Sequence, residues 1–238
     1  MKTNLFCWAH RGASSEAPEN TLAAFMRAVE AGANGIELDV HLSQDGIPVV
    51  IHDESLERTT DGTGLVTEWT SEALRQMDAG GWFSDDFAGE PIPVLSEVLQ
   101  IFSAHTRVNI EIKDIRAGEA VLALLTSFPQ ADVVVSSFNW LLLKKMRNAA
   151  PDLPLAVLLD HGNWRQGVAL ALQIAAVAVH PNVDVVSRPL VAACRARNLP
   201  VHVWTVDDPG QARSLSRMGV HGIFTNDPAR FKAELLSF

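Results

Sequence analysis

Four short clusters of charged and polar residues lie at or beside the ends of apolar, β-rich runs. They are His10-Arg11-Gly12, Glu37-Leu38-Asp39, His52-Asp53 and Glu111-Ile112-Lys113. These clusters supply three carboxylates on two strands, two histidines, an arginine and a lysine. If they converge at one site, such groups can hold a hard divalent cation and cleave a phosphate ester. The residue types therefore favour phosphodiester hydrolysis.

The carboxylates predict a metal site. Residues two positions apart on a strand share a face, so Glu37 points the same way as Asp39, and Glu111 the same way as Lys113. Oxygen ligands alone favour Mg²⁺, Ca²⁺ or Mn²⁺ over Zn²⁺. We therefore predict that Glu37, Asp39 and Glu111 bind one divalent cation. Alternatively, Glu37 and Glu111 form a rim of salt bridges with Arg11 and Lys113.

His10 and His52 each end an apolar run, where a lone histidine is often a packed core residue. A phosphodiester, however, needs a base for the attacking oxygen and an acid for the leaving alkoxide. Two histidines can supply both near neutral pH, each step contributing roughly 10²- to 10⁴-fold. We therefore predict that His10 and His52 are catalytic. Arg11 can bind a phosphate through two N–H groups, and Lys113 adds a point charge.

Strand-like and helix-like patterns alternate along the whole chain, which predicts βαβ units and a parallel sheet. The candidate strands are residues 5–9, 35–42, 48–52, 108–112, 133–137, 155–159, 176–180, 201–206 and 222–225. The length of 238 residues is close to the roughly 250 typical of one closed α/β barrel. We predict a single domain over residues 1–238. Nine strands are one more than such a barrel requires.

The extra strand is expected to be the third. Only Ser43-Gln44-Asp45-Gly46 separates it from the second, and Asp-Gly favours a hairpin turn, whereas parallel neighbours need a dozen residues or more. Residues 48–52 should therefore run antiparallel to residues 35–42, as an arm above the barrel mouth. This arm would bring His52 down beside Asp39. The other eight strands would form the barrel, whose reactive groups come from the carboxyl ends of the strands.

Two further segments bear on the site. Asn20 is expected to cap a helix whose core face is Leu22, Phe25 and Val29. Residues 54–93 are too many for an ordinary βα loop. A long ordered insertion at a barrel rim is more often a lid or substrate wall than a linker, so we predict a cap segment here.

Composition limits the partners and the location. A formal charge of −9 argues against binding along a nucleic-acid backbone. Residues 1–9 do not resemble a signal peptide, and residues 168–179 are broken by Gln173, well short of the ~18 apolar residues of a membrane helix. Cys7 and Cys194 make no disulfide framework, which indicates reduced thiols. We therefore expect a cytoplasmic protein without stable membrane association. The oligomeric state is left open.

Over nearly its whole length the sequence resembles the glycerophosphodiester phosphodiesterase family, in its bacterial cytoplasmic type. The resemblance is carried by the four clusters above and by further matching stretches: Pro18-Glu19-Asn20-Thr21, Asp45-Gly46, Leu56, Arg58-Thr59-Thr60, Gly62, Gly64, Ser136-Ser137-Phe138, Trp204-Thr205-Val206 and Gly222-Ile223. No single stretch is diagnostic, but their order and spacing together are specific.

The resemblance implies a TIM (β/α)8 barrel that cleaves glycerophosphodiesters into an alcohol and glycerol 3-phosphate. It implies that three carboxylates bind the metal, that two histidines are the general acid and base, and that two cations bind the phosphate: Glu37, Asp39 and Glu111; His10 and His52; Arg11 and Lys113. It adds Trp204 and Phe138 as an apolar wall for the glycerol. The segment after His52-Asp53 resembles the inserted cap region of the family. Glu19 and Asn20 also match, although turn formation and helix capping are their first expected roles.

One position departs from the family pattern, because family members often have aspartate where this chain has Asn226. Only a contact at the rim is expected to differ as a result. Two alternatives remain: a related phospholipase that acts on lipid phosphodiesters, and a catalytically inactive barrel that binds a phosphorylated ligand. The sequence does not choose between water and the glycerol 2-hydroxyl as nucleophile, nor does it identify the alcohol.

Overall fold

The computed structural model describes residues 5–160 and 162–235. Residues 1–4, which entered the argument about a signal peptide, lie outside the described residues. Strands and helices alternate through the described chain. The strands are β1 (Phe6–Ala9), β2 (Gly35–Leu42), β3 (Pro48–Val50), β4 (Arg107–Ile112), β5 (Val133–Ser137), β6 (Leu155–Leu159), β7 (Ala178–Pro181), β8 (His202–Val203) and β9 (Gly222–Thr225).

Eight of the described strands form a nearly closed barrel. Hydrogen bonding joins them in the order β7-β6-β5-β4-β2-β1-β9-β8, with all neighbours in this path parallel. Parallel bridges between Val179 and Val201, and between Asn182 and Trp204, connect β7 to the other edge of this path. β8 is therefore shorter than the predicted strand of residues 201–206. The residues on either side of it, Val201 and Trp204, pair with the β7 side only as single bridges. The predicted (β/α)8 barrel is confirmed.

β3 pairs antiparallel with β2, with Val40 opposite Val50 and Leu42 opposite Pro48. Within the described sheet it has no other strand neighbour on the barrel path. The connection turns at Gly46, whose φ of 77° lies in the region that favours glycine. The strand ends at Val50, earlier than predicted. Even so, the N–H of Ile51 donates to the carbonyl of Asp39 at 3.0 Å, which brings the chain beside the carboxylate strand.

The helices surround the barrel. Their bounds are α1 (Leu22–Glu30), α2 (Ser71–Leu74), α3 (Leu95–Phe102), α4 (Ala117–Leu125), α5 (Trp140–Ala149), α6 (Trp164–Gln173), α7 (Arg188–Arg195), α8 (Pro209–Met218) and α9 (Pro228–Leu235). Among the described residues, no helix is both long enough and apolar enough to cross a membrane.

The predicted cap of α1 is wrong by one residue. Thr21 is the N-cap, and its hydroxyl accepts a hydrogen bond from the N–H of Ala24 at 3.2 Å. Asn20 adopts a φ of 60° and directs its amide to Asp39 instead, so it is not free to cap. The helix buries Ala24, Phe25 and Ala28, while Val29 is exposed.

Alternation along β2 separates the core from the site. Ile36, Leu38 and Val40 are buried and pack in the main core between the barrel and its helices. Glu37 and Asp39, which lie between them in sequence, therefore point to the opposite face, into the barrel. Below them, Trp8 and Phe224 stack with ring centroids 5.6 Å apart and fill the barrel interior.

Residues 54–93 form an ordered segment with short helical turns at Val66–Glu68 and Asp85–Phe87 in addition to α2. The segment has its own small core, shared with β3 and the residue that follows it. The buried members are Val49, Ile51, Leu56, Val66, Leu74, Ala79 and Ile92. The segment is thereby fixed to the β2–β3 hairpin.

Candidate active site

Three buried carboxylates face one another at the carboxyl ends of β2 and β4. Asp39 lies directly opposite Glu111 in the parallel pairing, and Glu37 is two residues before Asp39 on the same face. One oxygen from each of the three lies within 4.8 Å of the others. The exposed fractions are 2% for Glu37, 1% for Asp39 and 8% for Glu111. Close, buried carboxylates of this kind repel one another unless a cation or a proton lies between them.

The pKa values reflect this crowding. Burial and the charges of Asp39 and Glu111 raise the pKa of Glu37 well above its ordinary value. Burial and Asp39 raise the pKa of Glu111 to about 7. Burial alone would also raise the pKa of Asp39, but Lys113 and Arg11 hold it below its ordinary value. The effect of burial and mutual repulsion is thus seen at the two glutamates, whose pKa values are raised.

An unpartnered oxygen shows where a cation fits. Oε1 of Glu37 is buried and has no hydrogen-bond partner among the described residues. Its other oxygen, Oε2, accepts the backbone N–H of Arg11 at 2.8 Å. A buried, unpartnered carboxylate oxygen is costly, whereas an all-oxygen set is what a hard divalent cation prefers. The residues present therefore fit such an ion.

Arg11 and Lys113 border the carboxylates on two sides. Nζ of Lys113 lies 2.7 Å from Oε1 of Glu111 and 3.3 Å from Oδ1 of Asp39. Nε of Arg11 lies 3.3 Å from Oδ2 of Asp39, and Nη1 lies 2.9 Å from Oε1 of Glu19. The alternative of a salt-bridged rim is thus partly seen, but Arg11 and Lys113 contact Asp39 and Glu111 and leave Glu37 with only a backbone contact.

His10 lies at the end of β1, with Nδ1 2.8 Å from Oδ1 of Asn226. Burial and the nearby Arg11 guanidinium lower its pKa to about 4. The chain then turns sharply: Arg11 and Gly12 have φ values of 57° and 83°, and a Cβ on Gly12 would lie 2.6 Å from Ala24. The turn directs the N–H of Arg11 at Glu37, which explains the glycine after His10-Arg11.

His52 is held by a chain of charged groups. Its Nδ1 lies 2.5 Å from Oδ1 of Asp53, and Asp53 receives both Nε and Nη2 of Arg58. Arg58 also donates to both carboxylate oxygens of Glu19, at 2.8 and 2.9 Å. Burial lowers the pKa of His52, although Asp53 opposes the shift. The side chain is therefore oriented by residues of the 54–93 segment and of the loop after β1.

Nearly all of the residues predicted for the site border one cavity of about 190 Å³. Its wall includes His10, Arg11, Glu37, His52, Glu111, Lys113, Phe138 and Trp204. Asp39 is in contact with Lys113 and Arg11 of this wall. Asn109 also borders the cavity and was not predicted. It is two residues before Glu111 on β4, so strand alternation offered a signal for it.

Trp204 and Phe138 lie on one side of this cavity. Their rings meet edge to face, with centroids 5.6 Å apart, and Nε1 of Trp204 donates to the carbonyl of His180 at 2.8 Å. Nζ of Lys113 is 6.0 Å from the Phe138 ring centroid. An apolar surface thus adjoins the charged groups.

A second, wider cavity of about 460 Å³ adjoins the first, and the two share His10 and Arg11. Its wall also includes Ser14, Glu19 and Asn226. His10 and Arg11 therefore border open space on two sides. The first cavity is bordered by two carboxylates of the cluster, and the second lies beside Ser14, Glu19 and Asn226.

Three residues have larger parts in the site than the sequence indicated. Glu19 lies in a turn, as the sequence first suggested, and it also binds Arg11 and Arg58. The amide of Asn20 donates to Oδ2 of Asp39 at 2.9 Å. Asn226 touches His10, whereas the sequence suggested only a contact at the rim. These contacts join residues far apart in sequence, which no local pattern reveals.

Known proteins resemble this chain over nearly its whole length. Residues 10–230 match the glycerophosphoryl diester phosphodiesterase family. A glycerophosphodiester phosphodiesterase from Caldanaerobacter subterraneus subsp. tengcongensis is 40% identical, over 96% of this chain and 96% of that protein. Among solved structures, an Oleispira antarctica phosphodiesterase in complex with the product sn-glycerol-3-phosphate has a TM-score of 0.90 and 28% identity, covering 98% of this chain and 96% of the other. A glycerophosphodiester phosphodiesterase from Agrobacterium tumefaciens has a TM-score of 0.86 and 32% identity, covering 96% and 99%.

Proposed function

Because the chain belongs to the glycerophosphoryl diester phosphodiesterase family, a family of phosphodiester hydrolases, we propose that it cleaves glycerophosphodiesters into an alcohol and glycerol 3-phosphate. One observation carries the proposal for this chain: carboxylates, cations, two histidines and an aromatic wall border the same cavity. The solved relative with sn-glycerol-3-phosphate bound supports the glycerol phosphate half of the substrate.

Glu37, Asp39 and Glu111 would hold one divalent cation, Mg²⁺, Ca²⁺ or Mn²⁺. The supporting observations are the closeness of the three oxygens and the unpartnered Oε1 of Glu37. When bound, such an ion supplies positive charge that stabilises the negative charge developing on the phosphate oxygens. Because the pKa values of both glutamates are raised, metal binding should weaken as the pH falls.

Arg11 and Lys113 bind the phosphate in this proposal. Lys113 stays protonated, because Asp39 and Glu111 raise its pKa despite burial. Arg11 is oriented by Asp39 on one side and Glu19 on the other, and its side chain is 18% exposed. An anionic substrate thus meets local positive charge in a chain whose net charge is −9.

His10 and His52 move the protons. One ring takes the proton from the attacking oxygen, and the other gives a proton to the alkoxide oxygen as its bond to phosphorus breaks. The attacking oxygen belongs either to water or to the 2-hydroxyl of the glycerol. In the second case a cyclic phosphate forms, and water then opens it.

The two cavities that meet at His10 and Arg11 suit a diester, since each can take one arm of the phosphate. We place the glycerol against Trp204 and Phe138, whose rings offer an apolar surface for its carbon atoms. The leaving alcohol then extends into the wider cavity beside Ser14 and Glu19.

Turnover of glycerophosphocholine, with and without a chelator, tests the proposal. We expect release of glycerol 3-phosphate, loss of activity in excess chelator, and recovery when Mg²⁺, Ca²⁺ or Mn²⁺ is added back. Full activity in the chelator would rule out the metal. Binding of glycerophosphocholine without turnover under any metal would favour the inactive, ligand-binding alternative.

A further inference from the structure

Asn226 lies between His10 and Asp207. Its Oδ1 is 2.8 Å from Nδ1 of His10, and its Nδ2 donates to Oδ2 of Asp207 at 2.7 Å. Oδ1 of Asp207 accepts the backbone N–H of Asn226 at 2.7 Å and the hydroxyl of Thr225 at 2.9 Å. A short chain of hydrogen bonds at the end of the last barrel strand thus connects the Asp207 carboxylate to His10.

The orientation of the Asn226 amide follows from chemistry. An ionised carboxylate only accepts hydrogen bonds, so the group that faces Asp207 must be the NH₂ of Asn226. The carbonyl oxygen then faces His10. The hydroxyl of Ser14 lies 2.9 Å from the carbonyl of His10 and 3.0 Å from Oδ1 of Asn226. Because it can donate or accept, Ser14 does not decide the orientation of the amide.

A carbonyl oxygen that faces Nδ1 of His10 requires a proton on that nitrogen. We propose that Asn226, locked by Asp207, is a positioning residue that fixes neutral His10 in the Nδ1–H tautomer. Nε2 is then the nitrogen that exchanges a proton with the substrate. This catalytic consequence rests on the proposed role of His10, whereas the tautomer itself does not.

The variant Asp207→Asn should reverse the direction of the hydrogen bonds that run through the Asn226 amide. The new carbonyl is held by the backbone N–H of Asn226 and by Thr225, so the new NH₂ group faces Asn226. Two NH₂ groups cannot satisfy each other, and the Asn226 amide should turn over. Its own NH₂ then points at Nδ1 of His10 and favours the opposite tautomer, with the proton on Nε2.

The tautomer can be read by long-range ¹H–¹⁵N NMR on ¹⁵N-histidine-labelled, metal-free protein near neutral pH. His10 is neutral there, because burial and Arg11 lower its pKa to about 4. Its signals are identified by their loss in His10→Gln. We expect the Nδ1–H pattern in the wild type and the Nε2–H pattern in Asp207→Asn. An Nε2–H pattern in the wild type, or an unchanged pattern in Asp207→Asn, would overturn the proposal.

Asp208→Asn is the matched control. Asp208 is also an exposed aspartate, but it caps α8 through the N–H groups of Gly210 and Gln211, and asparagine caps about as well. This variant should keep the wild-type tautomer. Should Asp207→Asn fail to fold, Asn226→Ala serves instead: without the carbonyl acceptor, both tautomers should be populated. Retention of a pure Nδ1–H pattern in Asn226→Ala would count against the proposal.

Kinetics connect the tautomer to the reaction. In Asp207→Asn, kcat for glycerophosphocholine should fall about 10- to 100-fold while KM changes less than about 3-fold, because the wrong tautomer impairs proton transfer and not binding. An altered tautomer with unchanged kcat would overturn the catalytic part. Absence of activity in the wild type would instead count against the proposed function and leave the NMR result interpretable.

Discussion

Among individual residues, Glu37 and Glu111 differ from Asp39 in how their charge is balanced. Asp39 contacts Arg11, Lys113 and the amide of Asn20, and its pKa is lowered. The two glutamates have raised pKa values, and one oxygen of Glu37 lacks a partner among the described residues. The metal proposal therefore depends most on the glutamates.

Replacing Glu111 by glutamine should weaken binding of Mn²⁺ or Ca²⁺ by at least about 10-fold, because one anionic ligand is lost. Titration calorimetry measures this affinity directly. Thermal unfolding gives a second readout: at about 100 times the dissociation constant, a metal stabilises the wild type by about 2.7 kcal/mol. With a 10-fold weaker affinity, Glu111→Gln should keep only about half of this gain at the same metal concentration.

Glu119→Gln is the control for this experiment, since Glu119 is exposed in the first turn of α4. It should bind metal as the wild type does. Equal affinities in Glu111→Gln and Glu119→Gln would remove Glu111 from the set of ligands.

The histidines are expected to move protons and not to bind the metal. His10→Ala and His52→Ala should each lower kcat by roughly 10²- to 10⁴-fold while leaving metal affinity unchanged. Steady-state turnover and calorimetry on the same samples separate the two effects. The exposed His105 gives the control variant His105→Ala, which should keep full turnover. Loss of metal in either site variant would make that histidine a ligand.

The elements that carry these residues are tied together by one side chain. Arg58, from the segment that follows β3, binds Asp53 beside His52 and also Glu19 in the loop after β1. It therefore connects the loops that carry both histidines. Salt bridges at a surface contribute little stability on average, so the effect should appear in the orientation of the site more than in unfolding.

Arg58→Met should lower kcat by about 10-fold, because Asp53 loses the partner that fixes its orientation toward His52. Turnover of glycerophosphocholine measures the effect. Arg75→Met is the matched control, since Arg75 also lies in residues 54–93 and pairs with a carboxylate, Glu97, in a contact apart from Asp53 and Glu19. If both variants lose activity equally, general loosening of the segment, and not the Arg58 contact, would be the cause.

For the molecule as a whole, charge and shape favour a small substrate. The net charge of −9 opposes approach to an anionic surface, and the cations of the site are only 18% and 19% exposed at Arg11 and Lys113. The exposed aromatic residues of the 54–93 segment are Trp69 and Trp82, whose exposed fractions are 38% and 43%. A phospholipase would use such residues to contact a lipid surface.

We expect turnover of soluble glycerophosphocholine but not of phosphatidylcholine in vesicles, because the headgroup of a packed lipid cannot reach a recessed site. Release of free choline from each substrate measures this, because the proposed cleavage frees the alcohol from either diester. Hydrolysis of the same vesicles by an added phospholipase C shows that their lipid is accessible. Comparable rates on vesicles and on glycerophosphocholine would favour the phospholipase alternative.

Much of the site could be predicted from the sequence, because its signals are local. Alternation along β2 and β4 puts Glu37, Asp39 and Glu111 on the faces that meet in the barrel, and strand ends locate His10. The short Asp45-Gly46 connection predicts the antiparallel direction seen for β3. These inferences need only strand geometry and chain connectivity.

Only the tertiary structure decided the partners of these residues. Asn20 and Asn226 resemble cap and turn residues locally, yet their amides bind Asp39 and His10 across 19 and 216 positions of sequence. Glu19 likewise meets Arg58 across 39 positions. Whether a polar side chain satisfies its own backbone or a distant group depends on which groups the closed barrel buries together, and barrel closure is a property of the whole chain.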